Sequence, residues 1–323
     1  METIWNFEIS LIIIIQTALT GLSGFFKAIT FLGSEEFFIL VMPALYWCVD
    51  TGAGLRIGMI LLLSGHLNGI SKVTFHSPRP FWFSPDVKAL STEMSFGMTS
   101  GHSMSTASIW GLAAYLYKKR WFTIGSAVVI FLVGFSRIAL GMHFMSDVLA
   151  GWALGLVLLF IFIRLNKQIT TWLLKKGLAV HIWIVVGTTL LILASGYLPY
   201  LIPGEVPIPA EWINNAILAN PEAAPQPYDP SGIFTTAGVW LGMGIGAAWL
   251  RHKGGLTAPK SPRNQLLRYL IGLVGIAIFW YGLGAVFPRG EDLLPLLLRL
   301  IRYALVGLWI GVGAPMIYKK INL

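Results

Sequence analysis

The stretch SRIALGMHFMSDVLAGWALG, residues 136–155, decides how this chain is interpreted, because it sets ionisable side chains in otherwise apolar sequence. Arg137, His143 and Asp147 stand there among long runs of aliphatic and aromatic residues. Charged groups at membrane depth are costly, and they usually mark a functional site. The rest of the sequence must therefore show whether this segment lies in a bilayer and which partners its charges have.

The composition favours an integral membrane protein. Of the 323 residues, 56% are hydrophobic and only 11% are charged, whereas about a quarter of the residues in soluble domains are charged. Many of the 13 tryptophans stand near the ends of apolar runs, as is typical of the membrane interface. The single cysteine, Cys48, excludes an intramolecular disulfide. We assign the net charge of +9 to basic cytoplasmic loops and predict no nucleic-acid partner.

The apolar runs predict an all-α integral membrane protein, a polytopic helical bundle of about 9–10 transmembrane helices. The candidate spans are residues 35–50, 55–75, 102–117, 121–139, 144–164, 181–202, 233–250, 266–287 and 295–318. A further apolar stretch, residues 9–32, is interrupted by GLSG and Lys27. It is either another span or two interfacial helices, and we favour a span.

The basic residues predict which side of the membrane each connection occupies. Alternate threading of the helices puts five basic groups on one face, which the positive-inside rule makes cytoplasmic. These groups are Arg56; Lys118, Lys119 and Arg120; Arg164, Lys167, Lys175 and Lys176; Arg251, Lys253, Lys260, Arg263 and Arg268; and Lys319 and Lys320. The loop 204–232 falls on the opposite face. It holds Glu205, Glu211, Glu222 and Asp229 and no Lys or Arg.

By the same threading, a set of polar residues converges at helix ends on the extracytoplasmic side. The set comprises Lys72, Arg79, Ser100, Gly101, His102, Arg137, His143 and Asp147. Three cations and a helix N-terminus favour an oxyanion as ligand, because Arg and Lys neutralise it and the N–H groups of Ser100 and Gly101 point towards it. Phosphate fits better than a carboxylate, because so many donors are available.

The two histidines suggest the chemistry. His143 and Asp147 are four residues apart and share one helix face, so the carboxylate can hold one ring nitrogen while the other attacks phosphorus. His102, from a different helix, can donate a proton to the leaving oxygen. This set predicts a phosphohistidine intermediate. It needs no metal or other cofactor, since no obvious third protein ligand for zinc is present.

Three segments resemble the motifs of the type-2 phosphatidic acid phosphatase family of integral membrane lipid phosphatases. KVTFHSPRP, residues 72–80, matches Lys, six residues and Arg-Pro. TSGH, residues 99–102, matches Pro-Ser-Gly-His except that Thr99 replaces the proline. SRIALGMHFMSD, residues 136–147, matches the Ser-Arg, His and Asp of the third motif throughout. The resemblance covers about residues 30–160.

The resemblance implies a role for each matching residue. His143 would be the nucleophile, Asp147 its partner, and His102 the general acid and then the base for water. The phosphate would be held by Lys72, Arg79, Ser100, Gly101 and Arg137. We accordingly divide the chain into a phosphatase-like membrane core, a basic cytoplasmic linker and C-terminal membrane helices of unknown role. These parts are residues 1–164, 165–180 and 181–323.

We therefore predict a plasma-membrane lipid phosphatase that hydrolyses a lipid phosphate or pyrophosphate monoester at the extracytoplasmic face. Two alternatives stay open. One is a phosphotransferase of the same fold, and the other is a lipid transporter or binding protein with a phosphatase-like site. The sequence does not select the lipid or the oligomeric state. Arg299 and Arg302, within LLLRLIRYAL, are interpreted either as groups that snorkel to the headgroups or as a second lipid-phosphate contact.

Overall fold

The computed structural model describes residues 2–221 and 224–323, and this part of the chain is helical, with no β-strand. Glu222 of the acidic loop lies outside the described residues. The helices are α1 (Glu2–Ala18), α2 (Ser23–Phe31), α3 (Glu35–Ala44), α4 (Thr51–Phe75), α5 (Pro80–Phe83), α6 (Gly101–Tyr117), α7 (Arg120–Ala139), α8 (Met145–Leu173), α9 (Leu178–Pro199), α10 (Ala210–Ala219), α11 (Ser231–His252), α12 (Pro262–Ala277), α13 (Leu283–Val286), α14 (Leu293–Leu308) and α15 (Ala314–Lys320). Wider helical turns extend α3, α9, α12 and α14 over Leu45–Val49, Tyr200–Gly204, Ile278–Gly282 and Trp309–Gly313.

Seven helical segments of the described chain are long and apolar enough to cross a membrane. They are Thr51–Phe83, Arg120–Ala139, Met145–Leu173, Leu178–Gly204, Ser231–His252, Pro262–Val286 and Leu293–Lys320. The prediction of an all-helical, multi-pass membrane protein is confirmed, although nine or ten spans were expected. The count differs because α6, with 17 residues, and α3, with 10, are shorter than the 20 or so residues that cross the hydrocarbon.

The N-terminal apolar stretch, for which we favoured one span, forms two helices. α1 and α2 are bent by 112° relative to each other, and together they could count as an eighth, broken span. Gly21 lies in the connection with φ of +94°, a conformation that glycine adopts far more readily than residues with a Cβ atom. The GLSG sequence therefore marks a sharp bend in this stretch.

The first of two compact units is assembled from Met1–Phe37, Leu67–Phe162 and Leu198–Tyr228. In it α7 packs against both α6 and α2, and α5 packs against α10. Its core is rich in aromatic side chains, and Phe81, Trp82, Phe96 and Phe144 are all at most 2% exposed. This unit contains every residue of the predicted active site.

Two glycines let α8 approach the start of α6 closely. A Cβ atom on Gly151 would lie 2.7 Å from the carbonyl oxygen of Ser100, and one on Gly155 would lie 2.5 Å from that of Met104. The two glycines are four residues apart, which is the spacing of small residues at close helix contacts in membranes. This contact packs the second and third turns of α8 against the first turn of α6.

The second compact unit is assembled from Phe38–His66, Ile163–Tyr197 and Asp229–Leu323. Its main helix pair is α11 with α14. Gly238 and Gly242 of α11 face the backbone of α14 so closely that a side chain would collide with it. These two glycines therefore serve close helix contact. The predicted division at residues 165–180 stays a prediction.

Candidate active site

His143 and Asp147 meet at the start of α8, as their spacing predicted. Nδ1 of His143 lies 3.3 Å from Oδ2 of Asp147, and both side chains are almost fully buried. The same carboxylate oxygen accepts the backbone N–H of Phe144 at 3.1 Å. The Asp147 carboxylate therefore holds both the His143 imidazole and the backbone just before α8.

Arg79 donates to the other ring nitrogen of this imidazole. Its side chain is fully buried, and its three nitrogens all have acceptors. The acceptors are the carbonyl oxygens of Ser95 (2.6 Å), Met142 (3.0 Å) and Phe96 (3.2 Å), Oγ of Ser95 (3.1 Å), Oε2 of Glu93 (3.3 Å) and Nε2 of His143 (3.4 Å). A guanidinium group only donates, so Nε2 of His143 is the unprotonated nitrogen and Nδ1 carries the proton. This is the tautomer that a nucleophilic Nε2 requires.

Glu93 joins the two arginines of the site, and the sequence analysis missed it. Its Oε1 accepts from Nη2 of Arg137 at 2.9 Å while its Oε2 accepts from Nη2 of Arg79 at 3.3 Å. Both arginine side chains are at most 2% exposed, whereas 25% of the Glu93 side chain is exposed. A partly exposed carboxylate thus compensates two buried guanidinium groups.

The loop that carries Glu93 also positions Lys72. Nζ of Lys72 donates to Oγ of Ser95 at 2.7 Å, and the same hydroxyl accepts from Arg79. Ser95 therefore links the lysine and the arginine of the first motif. Arg137 is held at its second terminal nitrogen by Oγ1 of Thr30 at 3.3 Å, while its Nε has no partner.

The start of α6 differs in one respect from the prediction. The backbone N–H of Ser100 donates to the carbonyl oxygen of Asp147 at 3.1 Å, so it does not point at an empty anion site. Its hydroxyl caps the helix by accepting from the backbone N–H and the hydroxyl of Ser103. The hydrogen bond to Asp147 instead ties the beginning of α6 to α8, and with it Gly101 and His102. Burial and the positive charge of Arg137 lower the pKa of His102 to about 3, so this imidazole is neutral before a substrate phosphate binds.

Thr99, which stands where the family motif has proline, is held by hydrogen bonds. Nδ2 of Asn68 donates to the carbonyl oxygen of Thr99 at 2.8 Å and to its hydroxyl at 2.9 Å. A Cβ atom on Gly101 would lie 2.9 Å from Oδ1 of the same asparagine. The asparagine thus supplies the constraint on this turn that a proline ring would otherwise give.

Gly97 is a second residue that the sequence analysis missed. A Cβ atom there would lie 3.0 Å from Oδ2 of Asp147 and would collide with the carbonyl oxygen of Pro78. Its N–H donates to the carbonyl oxygen of Ser77 at 2.9 Å. A larger residue would push the Asp147 carboxylate away from His143.

Burial and charge set the protonation of the groups that lie outside the spans. Burial lowers the pKa of His143 well below its ordinary value, and the positive charges of Arg79 and Arg137 act in the same direction. Burial would raise the pKa of Glu93, but Arg79, Arg137 and Lys72 together hold it well below its usual range. At neutral pH the site therefore has a neutral imidazole at His143 and an ionised carboxylate at Glu93.

The site has the groups that phosphoryl transfer needs, but its described residues do not form a usual set of metal ligands. In the described chain no three His, Cys, Asp or Glu residues are grouped to hold a metal ion. The predicted absence of a metal and of other cofactors stays a prediction.

Profiles of known families match two parts of the chain. The PAP2 superfamily profile matches residues 53–171, which include all three motifs. A profile described as the PAP2 superfamily phosphatase, transmembrane extension, matches residues 234–323.

Individual proteins with known names are also similar to this chain. Phosphatidylglycerophosphatase B of Bacillus subtilis is 31% identical over 155 residues, which are 44% of this chain and 73% of that protein. A probable sphingosine-1-phosphate phosphatase of Dictyostelium discoideum is 34% identical, over 45% of this chain and 39% of its own length. A crystal structure of a PAP2-type phosphatidylglycerolphosphate phosphatase from Bacillus subtilis is 29% identical, covers 50% of this chain and 86% of that one, and has a TM-score of 0.42.

Proposed function

We propose a mechanism for this chain from the premise that it belongs to the PAP2 superfamily and is a multi-pass membrane lipid phosphatase. The proposal is that it hydrolyses a lipid phosphate monoester through a phosphohistidine on His143, at the extracytoplasmic face. The observation that carries it is the setting of His143, whose Nδ1 is held by Asp147 while its Nε2 faces Arg79.

In the first step Nε2 of His143 attacks phosphorus, and the bond from phosphorus to the lipid oxygen breaks. His102 transfers a proton to that oxygen, so the lipid leaves as an alcohol. The dianionic phosphate of the substrate favours the protonated form of His102 before this transfer. Asp147 stabilises the positive charge that develops on His143.

In the second step His102 takes a proton from water, and the water oxygen attacks phosphorus. The bond from phosphorus to Nε2 breaks, and inorganic phosphate is released. Arg79, Arg137 and Lys72 stabilise the charge on the phosphoryl oxygens in both steps. The enzyme returns to its starting protonation after one lipid phosphate and one water are consumed.

Substrate entry requires a rearrangement around Glu93. All three nitrogens of Arg79 already have acceptors, so a phosphate at Nε2 of His143 reaches Arg79 only by replacing some of them. Glu93 is the acceptor best suited to leave, because it is the anion among them and its side chain is 25% exposed. We propose that the phosphate takes the place of this carboxylate on Arg79.

The outward orientation rests on the basic turn between α6 and α7. Lys118, Lys119 and Arg120 are exposed and occupy the ends of these helices that lie opposite His102 and Arg137. The positive-inside rule then favours a cytoplasmic turn and an extracytoplasmic site. Cysteine labelling from outside intact cells at an introduced Ser84→Cys should succeed, and labelling at Lys119→Cys should require permeabilised cells. The reverse pattern would refute this orientation.

The catalytic test measures phosphate release in detergent with water as the sole acceptor. Phosphatidylglycerol phosphate and sphingosine-1-phosphate are the first substrates to compare, because the relatives named above are phosphatases of such lipids by name. His143→Ala should lower the rate by at least about 10³-fold. His252→Ala, an exposed position at the end of α11, is the matched control.

A trapping experiment tests the intermediate itself. The 4-nitrophenolate that leaves 4-nitrophenyl phosphate needs no proton. With this substrate the His102→Ala variant should therefore still form the phosphohistidine and then hydrolyse it slowly. Radioactive phosphate should accumulate on His143 in this variant and be absent after the further change His143→Ala. Label on another residue, or normal turnover without His143, would disprove the mechanism.

A further inference from the structure

A cleft in the second compact unit lies beside α14 and has a volume of about 480 Å³. Its lining includes Arg299 and Arg302 together with the aromatic side chains of Trp280, Phe287 and Tyr303. This volume is in the range of sites that bind small molecules. The proposed phosphatase mechanism uses none of these residues.

The two arginines of this cleft have few partners within the protein. Nε of Arg299 donates to Oγ1 of Thr235 at 2.8 Å, and its terminal nitrogens donate to no described atom. Arg302 makes no hydrogen bond with a described residue, although its Nε is buried. Asp229 and Glu291 also line the cleft, but neither forms an ion pair with these arginines in the described chain.

Another arginine of the same unit has protein partners for both of its terminal nitrogens, although its Nε has none among the described residues. Arg268 is 5% exposed, and it donates to the carbonyl oxygens of Trp47 (3.0 Å), Thr257 (2.7 Å) and Leu323. Buried polar groups are normally paired in this way. The terminal nitrogens of Arg302, unlike those of Arg268, have no hydrogen-bond partner in the described chain.

Both guanidinium groups nevertheless lie against the same side chain, that of Tyr303. Cζ of Arg302 lies 4.9 Å from the ring centroid of Tyr303, and Cζ of Arg299 lies 5.7 Å from it. A Cβ atom on Gly284 would lie 2.6 Å from Nη1 of Arg302, so the glycine leaves room for this group. Like charges one turn apart on a helix repel each other, and an anion between them would remove that cost.

We propose that this cleft binds a phosphate-bearing anion, with Arg299 and Arg302 donating to its oxygens. The arginines lie six and nine residues into the candidate span Leu293–Lys320, roughly 9 and 14 Å along the helix. A phospholipid headgroup can meet them there, with its apolar part against Trp280 and Phe287. Free phosphate offers the same oxygens, so the experiment separates these two sources.

The test uses the full chain in nanodiscs of phosphatidylcholine with 20 mol% (about one lipid in five) phosphatidylglycerol. Native mass spectrometry counts the phosphatidylglycerol that each variant retains. We expect Arg299→Gln with Arg302→Gln to retain roughly tenfold less than the wild type. Arg263→Gln, an exposed arginine of the same unit, is the matched control. The double variant with lysine at both positions should bind with intermediate strength, because lysine keeps the charge but lacks the paired donors of a guanidinium group.

Two further arms identify the ligand and keep this result separate from catalysis. Arg137→Gln should retain the lipid, because it changes the catalytic site and leaves the cleft intact. Thermal stabilisation by inorganic phosphate alone is measured in the Arg137→Gln background, where phosphate binds the catalytic site less tightly. A stabilisation that is lost on adding the two glutamine substitutions would identify the free anion as the ligand. If the double variant retains as much phosphatidylglycerol as Arg263→Gln and responds equally to phosphate, the arginines only snorkel or pack and the proposal is wrong.

Discussion

The first compact unit holds one pair of arginines in apolar surroundings, Arg79 and Arg137, and the second holds another, Arg299 and Arg302, but the partners of the two pairs differ. The first pair shares the carboxylate of Glu93 and is held by further hydrogen bonds on both sides. The second pair shares only the ring of Tyr303. A protein that supplies its own counter-charge fixes the donors before a ligand arrives, which is what transition-state stabilisation requires. A pair of arginines without an internal counter-charge depends on its ligand both for charge balance and for the position of its donors.

The largest expected difference between the pairs is in the rate of catalysis. Arg137→Gln should lower kcat/KM for phosphate release by roughly 10²–10³-fold, because a charged donor to the transferring phosphoryl group is lost. Arg137→Lys should recover part of the rate, since the charge remains. Arg302→Gln, measured in the same assay, should have a far smaller effect. If kcat/KM fell equally in Arg137→Gln and Arg302→Gln, the proposed difference between the two arginine pairs would be wrong.

The internal carboxylate can be tested through stability. Glu93→Gln leaves two buried guanidinium groups without their counter-charge, so the free energy of unfolding should fall by roughly 2–5 kcal/mol. Thermal unfolding in detergent measures this change. Glu211→Gln, at an exposed position of the same unit, should change it by less than about 0.5 kcal/mol.

The same variant tests whether phosphate replaces the carboxylate. If Glu93 competes for Arg79, inorganic phosphate should inhibit Glu93→Gln at lower concentrations than it inhibits the wild type. The inhibition constant should be measured at pH 7, where the carboxylate is ionised because its pKa is held well below its usual range. Weaker inhibition would mean that Glu93 acts only by orienting the arginines.

The stabilisation by Glu93 should depend on pH in a defined direction. Because the pKa of the folded carboxyl is lowered, its contribution is fully present above the unfolded pKa of about 4.3 and is lost as the pH falls towards the folded value. The difference in the free energy of unfolding between the wild type and Glu93→Gln should therefore stay constant between about pH 6 and about pH 8. It should narrow in more acidic detergent solutions. A gap that persists there unchanged would show that the carboxylate is not ionised in the folded protein.

The smallest expected effect concerns the turn before α6. Thr99→Val removes one of the two hydrogen bonds from Asn68 and keeps the shape of the side chain, so it should cost about 1 kcal/mol of stability. Activity should fall by less than about tenfold. Asn68→Ala removes both bonds and should cost more by both measurements. A larger loss from the valine variant than from the alanine variant would contradict the role given to Asn68.

Sequence reasoning was sufficient for the fold class, and it named residues that the structure brings together around His143. Apolar runs of span length predict membrane helices directly, because the bilayer has one thickness and few charges are tolerated in it. His143 and Asp147 meet as predicted, although His143 lies two residues before α8 rather than on its face, and the Asp147 carboxylate holds both its ring and the Phe144 backbone. The number of spans was overestimated, since hydropathy does not reveal where α1 bends away from α2 or how short α3 is.

The sequence by itself determined that this chain lies in a membrane and which residue types its proposed phosphate site contains, because both follow from local composition and short spacings. Tertiary structure alone decided that Glu93 bridges two arginines, that Gly97 leaves room for Asp147, and that the N–H of Ser100 is already used. These contacts join segments that are distant in the chain or lie on an irregular loop. No periodicity relates such residues, so only the packing of the helices that carry the loops brings them together.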